Sequence, residues 1–168
     1  ADLTVEAGIG DYKLTSITSY TDRDILVIRD ATQLTGSVTY DLGGTGNQVR
    51  IDSPLYDATK LKAFTQELRI ASDYEGSVQW LAGAFYSDIQ RDYAQTLPTP
   101  GYDAFTVSTL GLTAAQMLAI ANGYPADSPY NSDLPYRIRQ IAFFGEGTLD
   151  LNDKLSATLG GRYYNFKE

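Results

Sequence analysis

The feature that most constrains this chain is the alternation of very short turns with long polar connections between strand-like segments. The short turns lie at Ile9-Gly10-Asp11, Asp73-Tyr74-Glu75-Gly76 and Leu151-Asn152-Asp153-Lys154. The long connections cover residues 30–61 and 94–134. Compact soluble domains keep most connections to about 4–6 residues. Bacterial outer-membrane barrels instead combine short periplasmic turns with long extracellular loops, so the spacing favours a barrel.

The segments between these connections alternate apolar and polar residues with the period of a β-strand. In residues 155–164 the two alternating sets are Leu155, Ala157, Leu159, Gly161 and Tyr163, and Ser156, Thr158, Gly160, Arg162 and Tyr164. Residues 64–71 alternate in the same way. A period of two places successive side chains on opposite faces of a strand. With residues 2–9, 12–27, 78–89 and 136–149, the pattern predicts an all-β fold, an antiparallel up-and-down meander of about six long strands.

Pairing these strands in chain order predicts three hairpins, at about residues 2–29, 62–93 and 135–168. The loops of residues 30–61 and 94–134 would then lie on one side of the sheet and the short turns on the other. Several strands exceed the five or six residues that are usual in soluble proteins. They reach the 9–11 residues that a transmembrane strand needs. We therefore expect transmembrane strands, periplasmic turns and extracellular loops.

Composition excludes several classes of function. The net charge of −8 disfavours nucleic acid as a partner, because phosphate binding needs a concentrated basic surface. Cysteine and histidine are both absent, which removes the usual ligands of zinc, copper and haem. It also removes Ser-His and Cys-His catalytic pairs. We expect no enzyme, no metal site and no cofactor.

The second long loop contains a predicted short helix at residues 114–121. Thr113 is a suitable N-cap, and Asn122-Gly123 is a suitable C-terminal stop. Met117, Leu118 and Ile120 would form an apolar stripe on this helix. The stripe either packs the helix onto its own loop or the mouth of a barrel, or closes over a bound ligand as a lid.

Five segments carry a resemblance to a known family. They are Lys13–Asp22 (KLTSITSYTD), Phe64–Ser72 (FTQELRIAS), Trp80–Tyr86 (WLAGAFY), Phe144–Leu155 (FGEGTLDLNDKL) and Leu159–Tyr163 (LGGRY). In this order and spacing they resemble TonB-dependent outer-membrane receptors, in particular the sphingomonad-like and Caulobacter-like group. The similarity covers the strand regions and hardly touches the two long loops.

The resemblance implies a 22-stranded barrel with an N-terminal plug domain in the outer membrane of a Gram-negative bacterium. Such receptors import a scarce nutrient, such as siderophore-bound iron, cobalamin or a carbohydrate, with energy from the TonB complex. No plug domain or TonB box is recognised in these residues, and six strands are fewer than the eight of the smallest membrane barrels. The expected partners are therefore outer-membrane lipid, the plug and remaining strands of a parent protein, and TonB through that parent. The alternative is a structural or adhesive β-protein, either a soluble sandwich or a non-transporting scaffold.

The alternation also places charged residues on the polar faces of the predicted strands. In a barrel the lumen-facing candidates are Glu67, Arg69, Glu146 and Arg162. They would contact the plug or a substrate through charge-assisted hydrogen bonds, or form charge networks that hold barrel and plug together.

Tyrosine is abundant, with 13 residues, and falls into two groups. The strand tyrosines Tyr20, Tyr86, Tyr163 and Tyr164 are candidates for an aromatic girdle at the membrane interface. The loop tyrosines Tyr56, Tyr102, Tyr124 and Tyr130 are candidates for substrate contact, or pack within the loops.

Overall fold

The computed structural model describes residues 1–36 and 51–168. The chain forms one six-stranded antiparallel meander in which each strand pairs with its neighbours in the sequence. The strands are β1 (Asp2–Ile9), β2 (Tyr12–Asp30), β3 (Pro54–Ser72), β4 (Val78–Thr96), β5 (Asn131–Asn152) and β6 (Leu155–Lys167). The predicted fold class is thus confirmed as an all-β up-and-down sheet.

Three strands extend further than the hairpins predicted from the sequence. β3 begins at Pro54 rather than near residue 62, β4 ends at Thr96, and β5 begins at Asn131. The extra residues contain the β-formers Tyr56, Thr59 and Thr96 among Asp, Lys, Ala, Asn and Pro residues, so the alternation there is weak although the backbone pairs. Residues 37–50, within the first predicted loop, lie outside the described residues.

Two helices lie between β4 and β5, where the sequence predicts one. The predicted helix is present as α2 (Ala114–Ala121). Thr113 and Gln116 form a capping box at its start, and Asn122 ends it in the left-handed conformation at φ 49°. A further helix, α1 (Tyr102–Leu110), precedes it between Gly101 and Gly111. Residues 32–36 are also helical.

The stripe predicted on α2 is only partly buried. Met117 is 8% exposed, whereas Leu118 and Ile120 are 75% and 60% exposed. Met117 therefore packs the helix onto its surroundings, as the first of the two interpretations requires, and its two apolar neighbours face outward.

The chain divides into two compact units. Unit 1 consists of Ala1–Arg23, Leu61–Arg91 and Tyr136–Glu168. Unit 2 consists of Asp24–Lys60 and Asp92–Pro135, and it contains both helices.

The three short turns of unit 1 lie at the same end of the strands. The first turn is tight because Gly10 takes a left-handed conformation at φ 59°. The amide of Asp73 donates to the carbonyl of Asp11 at 2.8 Å, and the amide of Asp150 donates to the carbonyl of Ser77 at 2.7 Å. These bonds connect each turn to the next, as sequential hairpins require.

The two faces of unit 1 follow from strand register and side-chain contacts. Val5 pairs with Ser16 between β1 and β2, and Phe143 with Tyr163 between β5 and β6. Contacts across the inner strands join Ser16 to Gln66, Phe64 to Tyr86, and Asp88 to Arg137. Residues joined in this way share a face, because paired side chains project to the same side of a sheet.

One face, here called the apolar face, carries most of the large hydrophobic side chains of unit 1. Between 38% and 84% of each of the following is exposed: Leu3, Val5, Ile9, Leu14, Leu68, Ile70, Ile141, Phe143, Leu149, Leu155 and Leu159. The opposite face, here called the polar face, carries Thr4, Glu6, Lys13, Thr15, Glu67, Arg69, Glu146, Thr158 and Arg162.

The hydrophobic core is small for a chain of this length. Across residues 1–36 and 51–168, the buried hydrophobic side chains are Leu97, Tyr102, Met117 and Ala142. A soluble domain of about 150 residues buries roughly 70% of the surface of its unfolded chain. The apolar residues here lie mostly on a face rather than in an interior.

In the parts of the chain that the structure describes, no helix has both the length and the apolar character needed to span a membrane.

We predict that Gly83→Ala destabilises the sheet. A Cβ at Gly83 would lie 2.4 Å from the Phe144 ring and 2.8 Å from the carbonyl oxygen of Leu68. Such overpacking costs about 1–3 kcal/mol. Urea unfolding in a mild non-ionic detergent, followed by the fluorescence of Trp80, should show the loss.

Gly147→Ala is the matched control, since nothing lies within 4 Å of a Cβ built at Gly147 in β5. It should leave the midpoint unchanged or raise it slightly, because alanine restricts the unfolded chain more than glycine does. Equal midpoints for the two variants would show that Phe144 does not pack on Gly83.

Candidate binding surfaces of the two units

The polar face of unit 1 holds the four charged residues predicted to face a barrel lumen. Glu67 and Arg69 are separated by one residue on β3 and form an ion pair. Glu67 is the better buried partner, with 19% of its side chain exposed against 48% for Arg69. The pair is therefore formed within a single strand and presents the guanidinium outward.

Arg162 lies over two aromatic rings. Its guanidinium carbon is 5.6 Å from the centre of the Phe85 ring and 5.8 Å from that of Phe144. These cation–π contacts fix the side chain on the polar face. The Phe144 ring in turn packs on Gly83, so three strands position this one cation.

Glu146 lies on the same face as Arg162, two pairs further along the β5–β6 register. It pairs with Gly160, and its Cβ and Cγ pass 3.5 Å from the position where a Cβ at Gly160 would lie. Its carboxylate side chain is exposed. The polar face therefore brings Glu146 and Arg162 to adjacent positions, and the two can present opposite charges to a ligand or to another part of a protein.

The apolar face carries three of the strand tyrosines. Tyr20, Tyr86 and Tyr163 are 48%, 39% and 66% exposed. Tyr86 lies 6.3 Å from Phe64, centre to centre.

Tyr164 does not belong with them. It pairs with Ala142, lies on the polar face and stacks on Phe166 with ring centres 6.2 Å apart. Placing Tyr163 and Tyr164 in one girdle was wrong, because adjacent residues of a strand project to opposite faces.

Unit 2 is organised around the carboxylate of Asp57, which sequence reasoning missed. Asp57 is 7% exposed. Its Oδ1 accepts hydrogen bonds from the hydroxyl of Tyr93 at 2.8 Å and from the amide of Gln95. Its Oδ2 accepts from the guanidinium of Arg29. One carboxylate thus joins β2, β3 and β4.

The Asp57 cluster extends to one of the loop tyrosines. The hydroxyl of Tyr130 donates to Oε1 of Gln95 at 3.1 Å, and the backbone carbonyl of Tyr130 accepts from the amide of Leu97 at 3.0 Å. Tyr130 remains 41% exposed. It is therefore held at its polar end while its ring faces outward, which suits a contact residue.

The other loop tyrosines differ in accessibility. Tyr102 is 7% exposed at the start of α1, and burial raises the pKa of its phenol. It packs inside unit 2, so of the two roles predicted for the loop tyrosines Tyr102 has the packing role and not the contact role. Tyr56 is half-buried and lies in β3 rather than in a loop.

Tyr124 remains accessible, with 38% of its surface exposed. Its hydroxyl donates to Asp133 at 3.3 Å, and the negative charge of that carboxylate raises the pKa of the phenol. Asp133 in turn lines an open cleft of about 370 Å³ in unit 2, with Lys60, Asp92, Tyr93 and Leu134. Both signs of charge and an aromatic ring line this cleft beside Ala58, Ala94, Leu134 and Pro135, so it suits a small ligand that has both apolar and charged parts.

Metal chemistry finds no support in the described residues. No group of three or more Asp or Glu side chains is placed to hold a metal ion there. The buried carboxylate of Asp57 already accepts hydrogen bonds from Arg29, Tyr93 and Gln95.

We predict that Asp57→Asn loosens unit 2. The asparagine must turn an NH₂ group towards either Arg29 or the Tyr93–Gln95 pair, and a buried hydrogen-bonded group that loses its partner costs about 1–3 kcal/mol. Hydrogen exchange at the amides of residues 54–60 and 92–96 should be on the order of tenfold faster.

Asp52→Asn removes the same charge from an exposed position of unit 2 and should leave exchange unchanged. If both variants exchange like the unsubstituted chain, the Asp57 cluster does not hold these strands together.

The comparisons with known proteins assign no family. No protein-family model matches the chain, and no curated protein matches it either. Any functional assignment therefore depends on the sequence motifs and on the geometry of the two units.

Proposed function

We propose that this chain is part of the barrel wall of a TonB-dependent receptor that imports a scarce nutrient through the outer membrane of a Gram-negative bacterium. The proposal combines the five family-like segments with the arrangement of side chains in unit 1. In it the apolar face meets lipid, and the polar face meets the lumen. The plug, the remaining strands and the coupling to TonB belong to the parent protein.

The observation that carries the proposal is the segregation of side chains between the two faces of unit 1. Large hydrophobic side chains on the apolar face are up to 84% exposed, as for Leu159. In water such a face favours association, but in a bilayer it is covered by acyl chains. Charges and threonines occupy the polar face together with the rings of Phe85 and Phe144, and the charges suit the water-filled interior of a transport barrel.

Polar groups on the apolar face are paired with one another, which also supports a lipid environment. The hydroxyl of Thr18 donates to Oε1 of Gln66 at 2.6 Å, and the amide of Gln66 donates to the hydroxyl of Ser16 at 3.0 Å. In hydrocarbon every polar group needs an internal partner, since no water is available. This small network satisfies that requirement between β2 and β3.

Unit 2 supplies the candidate ligand contacts. Tyr124 and Tyr130 present exposed rings whose hydroxyl groups are anchored, and the cleft at Lys60, Asp92 and Asp133 offers charges of both signs. Aromatic faces and charged donors suit an iron–siderophore chelate, a corrinoid or an oligosaccharide. Within the proposed function, these residues are the first contacts of the imported molecule.

We predict that Leu159→Arg blocks insertion of the chain into bilayers. Leu159 is 84% exposed on the apolar face, and an arginine at the bilayer midplane of a membrane barrel costs about 2–4 kcal/mol. Refolding of the parent protein from urea into phosphatidylcholine vesicles, followed by protease protection, should show the loss.

Thr158→Arg is the matched control. Thr158 is the preceding residue, lies on the polar face and shares only an exposed hydrogen bond with Thr148. It should insert almost as well as the unsubstituted chain. Normal insertion of Leu159→Arg, or a chain that is monomeric in water without detergent, would favour a soluble sandwich or an adhesive β-protein instead.

We predict that the parent protein transports its nutrient only when the inner-membrane motor is present. Cells that produce it should accumulate a labelled iron–siderophore complex, cobalamin or oligosaccharide, and lose that uptake when the TonB complex is deleted. Surface binding at low temperature should persist, because binding precedes the energised step. Uptake that survives the deletion, or no uptake of any of the three classes, would contradict active transport and favour a scaffold.

A further inference from the structure

We infer that unit 1 contains a binding site for a lipid headgroup that carries an anionic phosphate, at the border of its apolar face. This inference rests on the proposed membrane placement and goes beyond it, since transport requires no particular lipid. The site is formed by Arg137, Arg139 and Lys167 beside the aromatic residues Tyr20, Phe64 and Tyr86.

The three cations lie on the apolar face where its hydrophobic surface ends. Arg137 contacts Asp88, which shares a strand face with Tyr86 two residues away. Arg139 precedes Ile141 on the same face of β5, and Ile141 is 46% exposed. Lys167 lies directly opposite Arg139 in the β5–β6 register. On this face of β5 the side chains therefore change from apolar at Ile141 to cationic at Arg139, two residues away.

The charges of this cluster are unbalanced. The Nε–H of Arg137 donates a hydrogen bond to Oδ1 of Asp88 at 2.7 Å. Nε of Arg139 lies 3.5 Å from Oδ2 of the same carboxylate. One carboxylate therefore serves both guanidinium groups, and Lys167 adds a third positive charge across the strand pair. Like charges directly opposite each other destabilise a sheet. An anion between Arg139 and Lys167 would remove that repulsion.

The setting distinguishes these cations from ordinary surface charges. The whole chain has a net charge of −8, so a cluster with a net positive charge stands out. Both guanidinium groups are accessible, with 51% and 56% of the side chains of Arg137 and Arg139 exposed.

A cleft next to the cluster provides room for the ligand. It measures about 310 Å³ and is lined by Tyr20, Phe64, Tyr86, Lys62, Asp88 and Arg137. Its lining combines aromatic rings, as expected at the level of lipid headgroups, with two cations, Lys62 and Arg137, and one carboxylate, Asp88. The part of a lipid acyl chain nearest the headgroup would lie against the rings, and the phosphate of the headgroup would lie against the cations. Arginine binds phosphate through two parallel hydrogen bonds, and basic residues near a membrane surface bind anionic lipids electrostatically.

The test compares two lipids that differ only in phosphate. The full chain is held in non-ionic detergent micelles and titrated with phosphatidic acid or with the diacylglycerol of the same acyl chains, and bound lipid is counted by native mass spectrometry. We expect binding of phosphatidic acid in preference to diacylglycerol, weakening as salt is raised. The triple variant Arg137→Gln, Arg139→Gln, Lys167→Gln should bind phosphatidic acid roughly 100-fold more weakly.

The control variant removes three cations from the polar face, opposite to the proposed site. Lys13 pairs with Glu6 on the polar face, Arg23 has the same strand parity as Lys13, and Arg91 lies over Tyr136. The variant Lys13→Gln, Arg23→Gln, Arg91→Gln should bind phosphatidic acid like the unsubstituted chain.

Three results would overturn the inference. They are equal binding of the two lipids, equal weakening by both triple variants, and inorganic phosphate binding as tightly as phosphatidic acid. Each leaves the proposed transport function intact if the chain still inserts into phosphatidylcholine vesicles. Failure to insert overturns the proposed function and this inference together.

Discussion

The structure depends on what covers the apolar face of unit 1. Among the described residues few hydrophobic side chains are buried, so the burial that stabilises most domains is largely missing within the chain itself. Backbone pairing satisfies the polar groups of the strands, but pairing alone contributes little net free energy. The remaining driving force must come from material that covers Leu3, Phe143, Leu159 and their neighbours.

The polar face shows how the sheet positions charge without a core. Gly83 on β4, Phe144 on β5 and Arg162 on β6 pack on one another across three strands. The Phe144 ring fits against Gly83 because glycine has no side chain, and Arg162 lies over that ring. Glu67 and Arg69 neutralise each other along one strand instead. Among the ion pairs of the described residues, none joins Arg162 or Glu146 to a neighbour on its own strand.

Local sequence patterns predict most of this fold. They miss one helix and one buried polar cluster. Alternation in residues 64–71 and 155–164, with turn spacing and β-forming composition elsewhere, predicts the six strands. Thr113 with Asn122-Gly123 predicts α2. α1 is missed because Thr and Val are poor helix formers and its ends are left-handed glycines without side-chain caps.

The Asp57 cluster is missed for a different reason. Its partners are 28 to 38 residues away in sequence, and a single aspartate between Tyr56 and Ala58 carries no local signal. By contrast, the opposite faces of Tyr163 and Tyr164 follow from alternation alone and needed no structure.

The elements of unit 1 bear on what could cover its apolar face. A sandwich covers the inner face of each sheet with a second sheet. Every described element of unit 1 is a strand of one meander or a turn between strands, and both helices belong to unit 2. Unit 1 therefore contains no layer that could cover its own apolar face. Any cover must therefore lie outside unit 1, and the paired Ser16, Thr18 and Gln66 side chains suit a cover that offers no hydrogen bonds. Hydrocarbon meets that description, and so does an apolar protein interior, where buried polar side chains are likewise paired, whereas water would not require the pairing.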